Sequence, residues 1–147
     1  MDKKLVIIAG IAAVISLSLL IIPKIFPVGM LMATASGSMI PMSGYYAYQA
    51  EFLIGLAALL VAGSLFFLRG AEARQLSGLF LALLGAIIAL IPTSWVIGVC
   101  SDDNRLTVAW TIIGGLLLIL AGGLAARLAV KIEAAQKKEE DYPTVAG

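Results

Sequence analysis

The sequence predicts an all-α membrane protein with four transmembrane helices, and three observations lead to that fold class. Hydrophobic residues make up 61% of the 147-residue chain, and its mean hydropathy is +1.05. Charged residues make up 13%, against the roughly 25% typical of soluble domains. The apolar residues fall into four long runs separated by short segments that hold the charges. Because lipid offers backbone groups no hydrogen-bond partner, such runs are expected to form helices.

The first apolar run is about as long as a bilayer core is thick. Residues 5–22 carry no charge and would extend about 27 Å as a helix, close to the roughly 30 Å thickness of a bilayer core. Pro92 interrupts the third run, so we expect that helix to bend or end near the proline. The four spans are predicted at about 5–22, 52–68, 76–97 and 106–126.

The end of the chain differs from the rest in composition. We expect a four-helix transmembrane domain over residues 1–130 and a tail over 131–147. Glu133 and Lys137 are four residues apart in the favourable order, so the fourth helix is expected to continue into the tail before Pro143.

Basic residues lie mainly on one side of the predicted bundle. Arginine and lysine favour the cytoplasmic side of membrane proteins, so both termini are expected in the cytoplasm, which for a bacterial protein means the inner membrane. The eight residues on the cytoplasmic side are Lys3, Lys4, Arg69, Arg74, Arg127, Lys131, Lys137 and Lys138. The opposite side has Lys24 and Arg105.

The segment between the first two spans is unusually apolar for a loop. Residues 23–50 form an expected extracytoplasmic loop of 28 residues with one charge, Lys24. Its tyrosines, Tyr45, Tyr46 and Tyr48, are typical of an aromatic belt at a membrane interface. We therefore expect this loop to lie against the membrane surface or against a protein partner.

Sulfur-containing residues on the same side raise the alternative of a Cu(I) site, because soft thioether and thiolate ligands suit this ion. Methionine is also a flexible apolar residue that suits adaptable surfaces, so the pattern has a second, structural interpretation, which we prefer. The chain has no histidine, and we expect no cofactor. The candidate copper ligands are Met30, Met32, Met39, Met42 and Cys100.

Glu51 is the acidic residue closest to an apolar run. An ionisable residue inside a span is a functional hypothesis, for example a proton relay. A span that begins at residue 52 would instead place Glu51 at a helix N-terminus, where the helix dipole favours a carboxylate. We prefer the capping or interface role.

Small residues recur at helical spacing in three of the runs. Gly114 and Gly115 are followed eight residues later by Gly122 and Gly123. Such faces allow helices to approach closely in lipid, either within the bundle or against the helix of a partner.

Two short motifs resemble those of a bacterial family of small four-helix membrane proteins of unknown function. The family has Met-x-Cys-His-x-Thr-x-x-Ala-Glu before the second helix, and Met42, Ala50 and Glu51 match this run. At the end of the third helix it has Ile-Gly-Val-Cys followed by a further Met-x-Cys; residues 97–100 match the first part, and residues 101–106 lack the second cysteine. Gly44 and Tyr45 stand where the family has cysteine and histidine, which puts any outer disulfide or metal centre of the family in doubt here.

The resemblance implies a role as an accessory subunit, because such proteins accompany ABC transporters with large extracytoplasmic permease domains. The expected partners are the lipid bilayer and other integral membrane proteins, including an ABC permease and its ATPase. Nucleic acid is not expected, since the net charge is only +1.

The run of residues 36–42 is similar to the nucleophile segment of type I signal peptidases, with Ser38 at the position of the nucleophile. A serine peptidase needs a base and a folded domain to hold both groups. Lys24 is the only lysine on that side and precedes the serine, so we expect no enzyme. The sequence thus predicts a non-catalytic subunit of a membrane complex. A self-oligomerising transporter or channel is the first alternative, and a Cu(I)-binding protein is the second.

Overall fold

The computed structural model describes residues 3–26, 31–33, 35–41, 43–93, 96 and 105–140. Each of the four helices in these ranges is long and apolar enough to cross a membrane, which confirms the prediction of an all-helical fold with four such helices. In chain order the elements are α1 (Lys3–Ile25), β1 (Leu31–Ala33), β2 (Met39–Pro41), α2 (Ser43–Phe67), α3 (Ala71–Leu90) and α4 (Arg105–Glu140).

Consecutive helices run in opposite directions, so the bundle has two distinct ends. At one end Thr107, near the start of α4, donates a hydrogen bond to the carbonyl of Phe26, just after α1. We call this the hairpin end, because β1 and β2 also lie between α1 and α2 there. The other end holds the start of α1, the turn between α2 and α3, and the far part of α4, and we call it the tail end.

Helices α3 and α4 approach each other at backbone distance. A Cβ atom added to Gly85 would lie 2.7 Å from the carbonyl oxygen of Gly115, and one added to Gly115 would lie 2.6 Å from that of Gly85. The same reciprocal contact recurs two turns away, where a Cβ on Gly122 would lie 2.5 Å from the Gly78 oxygen. Glycine is therefore required on both sides of this helix pair.

All four helices contribute to one apolar core, in which small and large side chains are both present. Lipid is as apolar as leucine, so close packing rather than hydrophobic burial holds transmembrane helices together. Core alanines lie in α1, α2 and α4, and leucine or isoleucine side chains from all four helices pack with them. Core members include Ala9, Ala12, Leu19, Ala58, Ala62, Leu81, Ile88 and Leu118.

The ends of α1 and α2 correct the expected loop over 23–50. Helix α1 continues through Pro23 to Ile25, since a proline in the last turn disturbs only the turn before it. Helix α2 already begins at Ser43, so the three tyrosines lie in its first turns rather than in a loop. Between the helices β1 pairs with β2 in antiparallel register, and Gly37 in the turn has φ +77°, which favours glycine.

The third helix ends earlier than the expected 76–97. Helix α3 stops at Leu90, and the amide of Thr93 bonds back to the Leu90 carbonyl in a turn. Pro92 has no amide hydrogen and its ring would collide with the preceding helical turn, which explains the end.

Helix α4 is longer than its expected span of 106–126. Its 36 residues reach Glu140 and extend about 54 Å, well beyond a bilayer core of about 30 Å. The expected continuation of the helix past residue 126 is therefore present.

Candidate functional site

Three polar side chains meet inside the hairpin end of the bundle: Glu51 of α2 and Thr107 and Thr111 of α4. We call them the polar cluster. The two threonines are one turn apart and both are buried, while Glu51 is only 5% exposed. The Thr111 hydroxyl donates to Glu51 Oε1 at 2.8 Å and lies 2.9 Å from the Thr107 carbonyl oxygen. The one hydroxyl proton of Thr111 therefore has two acceptors within reach, the Glu51 carboxyl group and the α4 backbone.

Glu51 does not occupy the helix N-terminus that the sequence predicted. Helix α2 begins at Ser43, so Glu51 lies more than two turns inside it and within the candidate span Tyr45–Phe67. The capping interpretation is therefore wrong, and the carboxyl group belongs to the buried face of α2. This face could have been recognised from spacing, because Ala47, Glu51 and Gly55 recur every four residues.

A small cavity lies beside the Glu51 carboxyl group. Its volume is about 10 Å³, which is close to the space that one water molecule needs. The lining residues are Ala47, Tyr48, Glu51, Ile91, Pro92, Thr107, Val108 and Thr111. A carboxyl and two hydroxyl groups around such a space can hold a proton or a small cation between α2, α4 and the end of α3.

A second polar contact joins α1 and α4 nearby. Trp110 Nε1 donates to the Ser18 hydroxyl at 3.2 Å, and Ser18 in turn donates to the carbonyl of Ile15 at 2.7 Å. Together with the bond from Thr107 to Phe26, this contact fixes α4 to α1 at the hairpin end.

The four glycines predicted as interface candidates have different surroundings. Gly115 and Gly122 pack against α3, and a Cβ on Gly114 would lie 2.9 Å from Leu19 Cδ2 of α1. These three glycines are therefore used within the bundle. A Cβ on Gly123 would meet no atom within 4 Å, so this position alone among the four opens to the surface.

Gly123 lies in a concave surface that we call the Gly123 groove. Its volume is about 560 Å³, and it is located where α4 emerges from the tail end of the bundle. It is lined by Gln75, Leu79, Gly123, Ala126, Arg127, Val130 and Lys131.

The three tyrosines lie on two sides of α2. Tyr45 and Tyr46 are exposed, and their rings meet edge to face with centroids 5.9 Å apart. Tyr48 is half-buried and borders both the cavity at Glu51 and a groove beside Lys24. The first pair is positioned to contact an external surface.

The candidate copper ligands are only partly covered by the described residues. Met30, Met42 and Cys100 lie outside them. Met32 belongs to β1, and Met39 of β2 is 63% exposed on the neighbouring strand. The copper hypothesis stays a prediction.

Ser38 lies on the exposed hairpin, with its hydroxyl 3.2 Å from that of Ser36. Both are exposed. The neighbour that the structure gives the Ser38 hydroxyl is therefore another serine hydroxyl group.

Four apolar helices with a small buried polar cluster define a multi-pass membrane protein. The chain belongs to the DUF4418 family, whose model is described as a domain of unknown function and matches residues 11–128. The predicted resemblance to a family of small proteins of unknown function is thereby confirmed. No curated protein and no solved structure matches the chain.

Proposed function

We propose that the protein is a non-catalytic integral subunit of a larger complex in the bacterial inner membrane, accessory to an ABC transporter, with both termini in the cytoplasm. The observation that carries this proposal is the Gly123 groove, an open surface with a small-residue floor beside a projecting helix.

The floor of the groove suits another transmembrane helix. Gly123 and Ala126 present little side chain, so a partner backbone can approach closely. Leu79 and Val130 in its lining are 53% and 44% exposed and offer apolar contact. On the other side of Gly123, Leu120 and Leu124 line a neighbouring groove and are 62% and 51% exposed. These features support the docking of a partner's transmembrane helix, and we assign that helix to the permease.

The rim of the groove suits the junction with a cytoplasmic domain. Arg127 and Lys131 line it, and α4 continues from there as a charged helix with Glu133, Lys137 and Lys138 exposed. We call residues 131–140 the α4 arm. A polar helix held outside the bilayer by a rigid bundle provides a docking element for the ATPase of the complex.

The test is purification of a tagged copy from its native membrane in a mild detergent, followed by mass spectrometry. The parent protein is expected to bring a permease and an ATPase in stoichiometric amounts. Gly123→Leu should lose both, since the leucine fills the groove. Gly63→Leu is the matched control, because Gly63 of α2 also has no atom within 4 Å of an added Cβ. Retention of the partners by both variants would exclude the groove as the interface.

A second candidate function is supported by the polar cluster. A buried carboxyl group in a membrane span is costly and is by default a functional hypothesis, so a small self-oligomerising transporter or channel remains the alternative. Proton and monovalent-cation flux into liposomes that contain the purified protein would test it. Flux that is abolished by Glu51→Gln and unaffected by Glu72→Gln, a change at an exposed acid of α3, would support this function. Absence of flux from a homogeneous, folded preparation would count against it.

A further inference from the structure

A second groove lies at the hairpin end, between the last turn of α1 and the outer face of α2. Its volume is about 290 Å³, and it is lined by Lys24, Tyr48, Gln49, Phe52 and Leu53. We call it the Lys24 groove. It is separate from the polar cluster, from which Tyr48 divides it, and from the Gly123 groove at the opposite end.

The ammonium group of Lys24 is held at this groove by an aromatic ring. Lys24 Nζ lies 5.2 Å from the centroid of Phe52, which is within the range of a cation–π interaction. Lys24 is exposed, and it provides the only charge among the residues that line the groove. Glu51 precedes Phe52 in sequence, but its carboxyl group faces α4 and accepts the Thr111 hydrogen bond instead. Among the described residues that line the groove, the charge of Lys24 is therefore not balanced by an acidic side chain.

The other polar groups of the lining complement that charge. The Tyr48 hydroxyl and the Gln49 amide can each donate a hydrogen bond, and phosphate oxygens accept bonds from such donors. An ammonium group with two neutral donors matches an oxyanion with several acceptor oxygens.

Apolar residues continue from the groove along α2. Leu53, Leu56 and Leu60 are 65%, 41% and 68% exposed, and their spacing of three and four residues places them on one side of the helix. This strip runs from Lys24 towards the middle of the span. A ligand with a charged head and a long hydrocarbon chain would match both parts.

We propose that the Lys24 groove binds the phosphate of an anionic phospholipid headgroup, with an acyl chain lying along Leu53, Leu56 and Leu60. Basic pockets between transmembrane helices bind anionic headgroups on the cytoplasmic side, and the same attraction between charges applies at the opposite end of a bundle. The lipid is favoured over free phosphate because a single cation holds a hydrated ion weakly in water, whereas the bilayer already concentrates lipid headgroups beside the groove. This inference depends on neither proposed function.

The experiment is native mass spectrometry of the full-length protein in a mild detergent, titrated with phosphatidylglycerol. Lys24→Gln should weaken lipid binding about fivefold, which corresponds to about 1 kcal/mol for one lysine. Lys24→Arg should bind as the parent does, because it keeps the charge. Lys3→Gln is the matched control, since it removes the same charge from the opposite end of α1.

Three outcomes would overturn the proposal. An equal loss of phosphatidylglycerol binding in Lys24→Gln and Lys3→Gln would mean that the lipid responds to the overall positive charge of the protein and not to the groove. Equal binding of phosphatidylcholine and phosphatidylglycerol by the parent would remove the preference for an anionic headgroup. Displacement of the lipid by millimolar inorganic phosphate would assign the groove to the free ion. A thermal midpoint of Lys24→Gln equal to that of the parent is expected, because the side chain is exposed.

Discussion

At the scale of single residues, Gly85 and Gly115 determine how closely α3 and α4 approach. Each has the other's carbonyl oxygen within 2.7 Å of the position that a Cβ would take. The obstructing atoms belong to backbone, which has no rotamer through which to move away. Even one added methyl group must therefore displace a whole helix.

Gly115→Ala is predicted to lower the free energy of unfolding by about 1–3 kcal/mol, the usual cost of overpacking a tightly packed core. The measurement is reversible unfolding of the purified protein in detergent. Gly123→Ala provides the control eight residues along the same helix, where a Cβ meets nothing within 4 Å. Alanine has a higher helix propensity than glycine, so Gly123→Ala should be neutral or stabilising. Equal destabilisation by both changes would contradict the role of the α3–α4 contact.

The hydroxyl group of Thr111 gives a second prediction at this scale. Thr111→Val keeps the shape but leaves the buried Glu51 without its donor, so it should destabilise the fold by about 1–3 kcal/mol. The unfolding free energies of Thr111→Val, Glu51→Leu and the double variant form a thermodynamic cycle. We expect a coupling energy of about 0.5–2 kcal/mol, as for hydrogen bonds between membrane helices. Additive effects would contradict a direct bond between the two side chains.

The sequence was informative about glycines and misleading about Glu51. Repeats at eight-residue spacing indicated close helix contact, and the structure places Gly115 and Gly122 in such a contact. Hydropathy, however, began the second span at residue 52, since Tyr48, Gln49 and Glu51 lower the local average. The sequence could not distinguish Gly122, which packs against α3, from Gly123, which is open to the surface. That difference depends on how the helices pack.

At the scale of elements, the turn between α2 and α3 is held by one arginine. Arg74 Nε donates to the carbonyl of Leu68 at 2.8 Å, which satisfies a backbone acceptor released at the end of α2. The arginine is half-buried in α3, so the bond ties the beginning of one helix to the end of the previous one.

Arg74→Met is predicted to destabilise the bundle by about 1–3 kcal/mol, because a charged donor is lost from a partly buried carbonyl. Thermal or denaturant unfolding in detergent would measure the change. Arg69→Met, in the same turn at an exposed position, should have a much smaller effect. If the two variants are equally destabilised, the loss of positive charge from the turn explains the result better than the bond.

Hydropathy predicted that the four helices exist. Where each helix ends depends instead on particular residues, such as prolines and charged pairs. A bend or an end of the third helix was expected near Pro92, and the helix ends there, at Leu90. The pair Glu133 and Lys137 correctly indicated that α4 continues beyond the apolar run. The strands β1 and β2 were not anticipated, because three-residue strands leave little periodicity to detect.

At the scale of the whole molecule, the distribution of basic residues makes a prediction about orientation. The tail end holds Arg69, Arg74 and Arg127, and the hairpin end holds Lys24 and Arg105. Since basic residues are retained in the cytoplasm, the hairpin should face the outside.

Single cysteines placed at Ser36 and at Lys138, in a Cys100→Ser background, test this orientation with an impermeant thiol reagent on intact cells. The cysteine at 36 should react and the one at 138 should not, while both should react after the cells are lysed. Labelling at 138 but not at 36 would reverse the proposed topology and place the Lys24 groove in the cytoplasmic leaflet.

The length of α4 also has a mechanical consequence. One continuous helix carries both the charged arm at 131–140 and the threonines that hold Glu51, so the two ends of the molecule share a rigid rod. Between those ends, Gly78 and Gly85 of α3 contact this helix at backbone distance. The buried polar cluster and the charged arm, at opposite ends of the bundle, therefore belong to one helix about 54 Å long.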